Sequence, residues 1–201
     1  MKRVVLVVAI AALCLTGCGS SKKGSSNVSA LISTGIAQQA NGQIDAAKAT
    51  FNEVLQKDPG NKYALYNLGI IATAAHDTAT ALSDYTKAIA ADPSFTSALY
   101  NKALLLELSD PAAAEALYRQ ILAVKPVAPT THLHLALVLL RKSRFDEAIS
   151  EFAEAVHEDG TLLAAVPAQI KPEVQQALRR LNGSASASPS VAASPSASAS
   201  S

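Results

Sequence analysis

The sequence predicts an all-α repeat fold, and three observations carry that prediction. About one fifth of the 201 residues are Ala, 49% are hydrophobic and only 4% are aromatic. That mixture suits small-residue helix packing and is poor in the bulky residues that strands favour. Stop signals recur at one interval: Pro59 and Pro93, each after an Asp, lie 34 residues apart, Pro126 follows 33 later, and Gly160 lies 34 beyond that. Between these signals, small and large apolar residues return at helical spacing. Self-similarity at such a period marks a repeat array.

The second interval reads Leu65-x-x-Leu68-Gly69-x-x-Ala72, then Ala81-x-x-x-Tyr85-x-x-Ala88, then Pro93. The first offers Leu31, Gly35, Ala47, Phe51, Val54 and Pro59 at matching places. The third offers Leu99, Ala103, Leu106, Ala114, Tyr118, Ile121 and Pro126, and the fourth Leu135, Ala136, Leu139, Ala148, Phe152, Ala155 and Gly160. This pattern resembles the tetratricopeptide repeat, a pair of antiparallel helices, and extends over residues 28–160. It departs from the family at Thr34 and Lys102, where Leu is usual, and the common Trp is missing. The resemblance implies an α-solenoid of about four helix-turn-helix repeats, at roughly 28–61, 62–95, 96–128 and 129–162, closed by a C-terminal capping helix.

The spacing has a physical rationale. A small residue (Gly35, Gly69, Ala103, Ala136) is expected to face another (Ala47, Ala81, Ala114, Ala148), so that paired helices approach closely. The aromatic four residues on (Phe51, Tyr85, Tyr118, Phe152) shares the face of that second small residue and is expected to plug the gap to the next pair. Pro or Gly ends the second helix. Asn41-Gly42, His76-Asp77 and Ser109-Asp110-Pro111 sit where pairs must turn. The residue missing from the third interval is expected to shorten its turn.

Outside the array the chain changes character. Met1-Lys2-Arg3 precedes an apolar run from Val4 to Leu15, about 18 Å as a helix and too short to span a bilayer. A basic start, a short apolar run and small residues read as a secretory signal. Leu15-Thr16-Gly17-Cys18 resembles the lipobox of bacterial lipoproteins, which implies a signal peptide over 1–17 and lipid (palmitate among its chains) on Cys18. The alternative is an ordinary signal with a stray Cys. Residues 18–27 read as a flexible polar linker. In 161–182, Pro172 to Leu181 is expected to form the cap, starting at Pro172, with Val174, Ala177, Leu178 and Leu181 as its apolar stripe, and stopped by Asn182-Gly183. Residues 183–201 hold nine Ser, six Ala and two Pro, too few large apolar groups to offset ordering entropy, so a disordered tail is expected.

Chemistry-bearing patterns are scarce. A net charge of +1 supplies no electrostatic drive towards nucleic acid. Two Cys cannot build a four-Cys zinc site or a disulfide-dense fold. His132 and His134 diverge by about 200° around a helix and cannot share a metal. They read, like His76 and His157, as surface or half-buried side chains. Glu147, Glu151, Glu154 and Glu158 read as a solvated helix face, balanced by Arg141, Lys142 and Arg144. No phosphate loop, nucleophile elbow or zinc-spaced set occurs. The reading is of a non-enzyme without metal or cofactor.

The positive signal is the inner face. In arrays of this family the first helix of each pair lines the concave side, and side chains flanking the Leu–Gly core point into the groove. Carried onto this chain, the groove holds Ile32 and Ile36, then Tyr63, Tyr66, Asn67 and Ile70, then Tyr100, Asn101 and Leu104, then His134, Leu137 and Arg141. Tyr offers rigid area with a hydroxyl, and Asn67 and Asn101 each offer a donor and an acceptor. The alternative is that Tyr63, Tyr66 and Tyr100 merely pack between helices. Some family members clamp a terminal carboxylate with Asn and basic residues. Here the basic places hold Ile32, Ile36, Tyr66, Ile70, Ser97 and Thr130, which disfavours such a clamp and favours an internal peptide segment or apolar helix. The expected function is a scaffold, lipid-anchored on the extracytoplasmic face of a bacterial cell membrane, that binds an envelope protein and no nucleic acid. The alternative is a wall-contact lipoprotein whose Ser/Pro tail engages the wall, with the repeats as a spacer.

Overall fold

The computed structural model describes residues 21–186 and, among them, contains helices and no strand. The signal peptide, the Cys18 lipobox and tail residues 187–201 lie outside the described residues. Two compact units divide between Pro59 and Gly60. The first holds the hairpin α1 (Ser21–Ala40) and α2 (Ile44–Lys57). The second holds three hairpins: α3 (Lys62–Ala74) with α4 (Thr78–Ala91), α5 (Thr96–Leu106) with α6 (Pro111–Val124), and α7 (Pro129–Arg141) with α8 (Phe145–Glu158). Two 3₁₀ segments, Gly160–Ala165 and Ala168–Ile170, lead into α9 (Lys171–Ser186), which packs on α8.

Local chemistry sets the boundaries. Asn61, Asp77 and Asp110 each accept a hydrogen bond from a backbone N–H three residues on, capping α3, α4 and α6. Pro111 and Pro129 open α6 and α7, where no backbone donor is needed. Pro59, Pro93 and Pro126 each stand two residues beyond a helix end.

Three of the four turns within hairpins are one device. In the turn after α3, the N–H of His76 donates to the Thr73 carbonyl and that of Asp77 to the Ala72 carbonyl. The same two bonds close the turns at Gly42-Gln43 and Ser143-Arg144. This closure places the first residue of each couple in the left-handed region, at φ +75° for Gly42, +59° for His76 and +58° for Ser143. The third hairpin departs from it. Four residues rather than three separate α5 from α6, and α5 itself has 11 residues where α3 and α7 have 13. The missing residue therefore shortens the helix and lengthens the turn, which corrects the expectation above. With Asp110 capping α6 and Pro111 following it, that turn needs no left-handed residue.

The rings do more than plug the gap to the next pair, as Tyr118 does by stacking on His134 of α7. The aromatic of the second helix lies on the small residue of the first helix in its own pair. A Cβ added at Gly35 would sit 2.6 Å from Phe51 Cε1, and one at Gly69 would sit 2.6 Å from Tyr85 Cε1. Each glycine leaves room for a ring rather than merely for another helix. In the third and fourth hairpins Ala103 and Ala136 stand there instead, within the same cores as the fully buried Tyr118 and Phe152.

At the chain ends helix runs further than expected. Residues 21–27, read as linker, belong to α1, although Gly24, three Ser and Asn27 are weak helix formers. Asn182-Gly183 does not stop α9, which continues to Ser186. The cap itself is placed as expected: Val174 is fully buried, and Ala177, Leu178 and Leu181 pack on the core shared with Phe152 and Val156.

Candidate functional site

In the second unit α3, α5 and α7 carry the side chains expected to bind a ligand. Tyr66, one turn into α3, packs its ring edge-on against Phe95 at 5.2 Å and tilted against Tyr85 at 6.0 Å. Its hydroxyl accepts a hydrogen bond from Asn101 Nδ2 at 3.1 Å, joining α3 to α5. Asn67 Nδ2 is turned back onto its own helix and donates to the Tyr63 carbonyl at 2.7 Å. Tyr63 packs edge-on against Phe95, with Lys62 Nζ over both rings and held to Asp92 at 2.5 Å.

Two cavities open beside Asn101. One, of about 260 Å³, is polar and has Tyr66, Ser97, Tyr100, Lys125 and Thr131 in its wall together with Asn101. The other, of about 370 Å³, is mostly apolar and is formed by Ile70, Ala74, Leu104 and Leu105 with the edge of Tyr85 and Asn101. Asn101 is thus the partition between them. Burial raises the Tyr85 hydroxyl pKa above its ordinary 10.0, and burial does the same to Tyr100. Both remain neutral hydrogen-bonding groups over the physiological range.

The remaining expected residues do other work. His134 Nδ1 lies 2.7 Å from the buried carboxylate of Glu107, which also accepts from Tyr118 Oη at 2.8 Å and from Arg141 at 3.5 Å. His134 is stacked on Tyr118 and meets Tyr100 edge-on. His134 and Arg141 therefore lock α7 to the α5–α6 turn. Leu137 packs into the core under α8 and α9. Ile32 and Ile36 belong to the first unit, Ile32 half-buried and Ile36 exposed.

Of two ionic clusters, the first fits the expected acidic face, with Glu147 half-exposed and balanced by Arg144, and the second corrects it. Glu115 is buried, which by itself raises its pKa. Hydrogen bonds from Lys142, Arg144 and Arg119 outweigh that and hold it down at about 2. Arg144 also pairs with Glu147, as does Arg119, so this cluster clamps α6 to the α7–α8 turn. His132, only 12% exposed in its side chain, sits between Glu151 Oε2 at 2.7 Å and the Pro126 carbonyl at 3.1 Å, with Glu158 Oε1 at 3.7 Å. Glu151 and Glu158 consequently turn inwards instead of facing water.

Burial alone would lower the His132 pKa; its bonds to Glu151 and Pro126 and the two carboxylate charges reverse that and raise it above its ordinary 6.5. A raised cationic group contributes stability that is complete below the unfolded value and is lost as pH climbs through the folded one. The stability gap between the wild type and His132→Gln should therefore shrink as pH rises from about 6.5 through the raised folded value. Urea unfolding at a series of pH values checks this; a gap constant across that range contradicts it.

Among the described residues no group of three or more His, Cys, Asp and Glu is placed to hold a metal. Sequence reasoning missed Phe95, Glu107 and Lys125. Glu107 meets His134 and Arg141 across 27 and 34 positions, so no local spacing announces it. Lys125 stands between a helix end and a Pro and reads as turn polarity only.

Comparison with known proteins agrees with this geometry. No curated protein matches the sequence. Among solved structures, the crystal structure of MamA is similar at a TM-score of 0.61 and 21% identity, covering 70% of this chain and 82% of that one. MamA from Desulfovibrio magneticus RS-1 is similar at 0.58 and 21%, covering 67% and 76%. A tetratricopeptide repeat protein from Parabacteroides merdae ATCC 43184 is similar at 0.61 and 23%, covering 78% and 62%. At these identities the likeness concerns the fold. The family model for the tetratricopeptide repeat matches residues 33–94 and 103–162. With most of the chain matched and its helical hairpins built on the small-residue and aromatic places of that repeat, this chain belongs to the tetratricopeptide repeat family.

Proposed function

We propose that this protein is a lipid-anchored scaffold of the bacterial cell envelope, which holds a peptide or helix of another envelope protein on the face of α3, α5 and α7. The observation that carries the reading is the pair of cavities beside Asn101, where Tyr66, Tyr100, Ile70 and Leu104 combine rigid rings, hydroxyls and apolar walls on rigid helices. Such a surface offers hydrogen bonds for a backbone and sockets for side chains, which suits polypeptide recognition. Membership of a repeat family whose helical hairpins bind protein partners supports it.

The anchor rests on the sequence. Met1-Lys2-Arg3, the Val4–Leu15 run and Leu15-Thr16-Gly17-Cys18 stand in the order of a lipoprotein leader. Among the described residues no helix is long and apolar enough to cross a membrane. Acyl chains on Cys18, each buried CH₂ contributing about 0.8 kcal/mol, would hold the protein at the surface.

One experiment addresses both halves: mild cross-linking of the full chain in native membranes. Replacing Tyr66, Asn67, Tyr100 and Asn101 together by Ala should reduce partner capture by about tenfold or more while circular dichroism stays helical. Replacing Cys18 by Ser should release the protein from the membrane fraction and abolish palmitate labelling. Undiminished capture by the folded fourfold variant contradicts the binding face, and retention of unlabelled Cys18→Ser in membranes contradicts the anchor.

A further inference from the structure

The two cavities differ in chemistry, and the difference specifies the ligand. No Asp or Glu lines the polar cavity, and Lys125, which does, makes no ion pair among the described residues. The hydroxyl-bearing residues Tyr66, Tyr100, Ser97 and Thr131 also line the cavity, and Tyr100 is hydrogen-bonded to Thr130. Because Tyr66 accepts from Asn101 Nδ2, its own hydroxyl hydrogen remains available to a ligand acceptor. A cation with a ring of donors favours a carboxylate and repels a basic side chain. The neighbouring cavity exposes the aliphatic walls of Ile70, Leu104 and Leu105 and suits an apolar side chain.

Their offset along α5 fits an extended chain. Along α5 the polar cavity takes Thr96 to Asn101 and the apolar one Asn101 to Leu105. Along the axis of α5 their midpoints are thus offset by about 7 Å at the helical rise of about 1.5 Å per residue, the polar cavity lying towards α6 and α7 and the apolar one towards α3 and α4. Side chains on one face of an extended strand recur every second residue, about 6.7 Å apart. An extended segment that runs along α5 matches this axial offset.

We infer that the polypeptide held on this face is an extended segment with an acidic side chain and, two residues away, an apolar one, the first in the Tyr66–Lys125 cavity and the second in the Ile70–Leu104 cavity. This rests on the polypeptide-binding reading above and names its chemistry. It differs from a terminal-carboxylate clamp, since the cation comes from the end of α6 and the acid is a side chain within the bound segment.

The test uses the ¹⁵N-labelled full chain and short capped peptides in Ser/Gly context, carrying Leu-Ser-Glu or Glu-Ser-Leu, each beside its Gln counterpart. The better Glu peptide should bind about tenfold more tightly than its Gln form, the weight of one charge-assisted contact. It should shift the amides of Tyr66, Asn101 and Leu104. Lys125→Gln, at an exposed position, should bring the Glu peptide to the Gln level and leave the Gln peptide unchanged. Replacing the peptide Leu by Ser should weaken binding of either form. Equal affinities of Glu and Gln peptides that still shift those amides would overturn the acidic assignment and leave the binding face standing. An undiminished Glu preference in Lys125→Gln would overturn it equally, and no shift from any probe would overturn both.

Discussion

Glu107→Leu should lower the unfolding free energy by about 2–3 kcal/mol, the cost of stranding a buried donor and dissolving a charged contact. The substitution is close in volume, so packing loss is minor. The damage falls on Tyr118, whose ring is fully buried and whose hydroxyl has Glu107 as its acceptor. Arg141, 43% exposed, resolvates with little cost, and His134 is partly reached by water. The carboxylate also pushes the Tyr118 pKa further above its ordinary 10.0 than burial alone does. Glu107→Gln keeps an acceptor for Tyr118 and should recover about half of the loss. In the Tyr118→Phe background the cost of Glu107→Leu should fall by at least about 1 kcal/mol, since the orphaned donor is gone. Chemical denaturation of the four variants measures this. Additive costs would show that Glu107 acts through something other than Tyr118.

Gly69→Ala should destabilise the second unit by about 2 kcal/mol although Ala is the better helix former by about 1 kcal/mol. The new Cβ would meet Tyr85 Cε1 at 2.6 Å and Cδ1 at 2.8 Å. The ring is 1% exposed, and its hydroxyl is tied to Thr73 Oγ1 at 3.1 Å, which opposes its retreat. Thr73 in turn donates to the Gly69 carbonyl, so the strain closes on itself. Gly60, with nothing within 4 Å of an added Cβ, provides the comparison, and Gly60→Ala should be neutral. Because Tyr85 supports Tyr66 and edges the apolar cavity, Gly69→Ala should also weaken ligand binding. Thermal unfolding of both variants tests the steric argument, and a stabilised Gly69→Ala would refute it.

How much of this was legible before the structure depends on distance along the chain. Helical spacing, the Asp and Pro stops and the Gly–aromatic places are local, and they locate the hairpins to within a few residues. Ring placement was legible only in part, because spacing puts Tyr85 and Ala81 on one face without saying which neighbours fill it. The shortened α5 was misread for a similar reason: a missing residue shows in the count, whereas Pro111 and the Asp110 cap decide where the loss falls. The overrun of α9 past Gly183 reflects the modest penalty of one Gly in a helix already packed on α8.

For the candidate site the division is sharper. Tyr66, Tyr100 and Asn101 could be placed from their register beside the Leu–Gly core. That His134 and Arg141 serve Glu107 could not, since those pairings cross from one hairpin to the next. The same holds for His132, whose partners Glu151 and Glu158 looked like a solvated stripe until α8 was seen to turn them against α7. Lys125 is unmarked in the sequence, because its lack of an ion pair among the described residues is a property of three dimensions.

The claim on which the rest stands is that the α3, α5 and α7 face holds polypeptide. A photoreactive side chain introduced in place of Leu104, exposed on that face, can be compared in native membranes with one in place of Ser83, exposed on α4. Irradiation should join Leu104 to one protein partner, which the acidic–apolar peptide displaces, and should leave Ser83 unlinked. Efficient cross-linking from Ser83 with none from Leu104 would contradict the account.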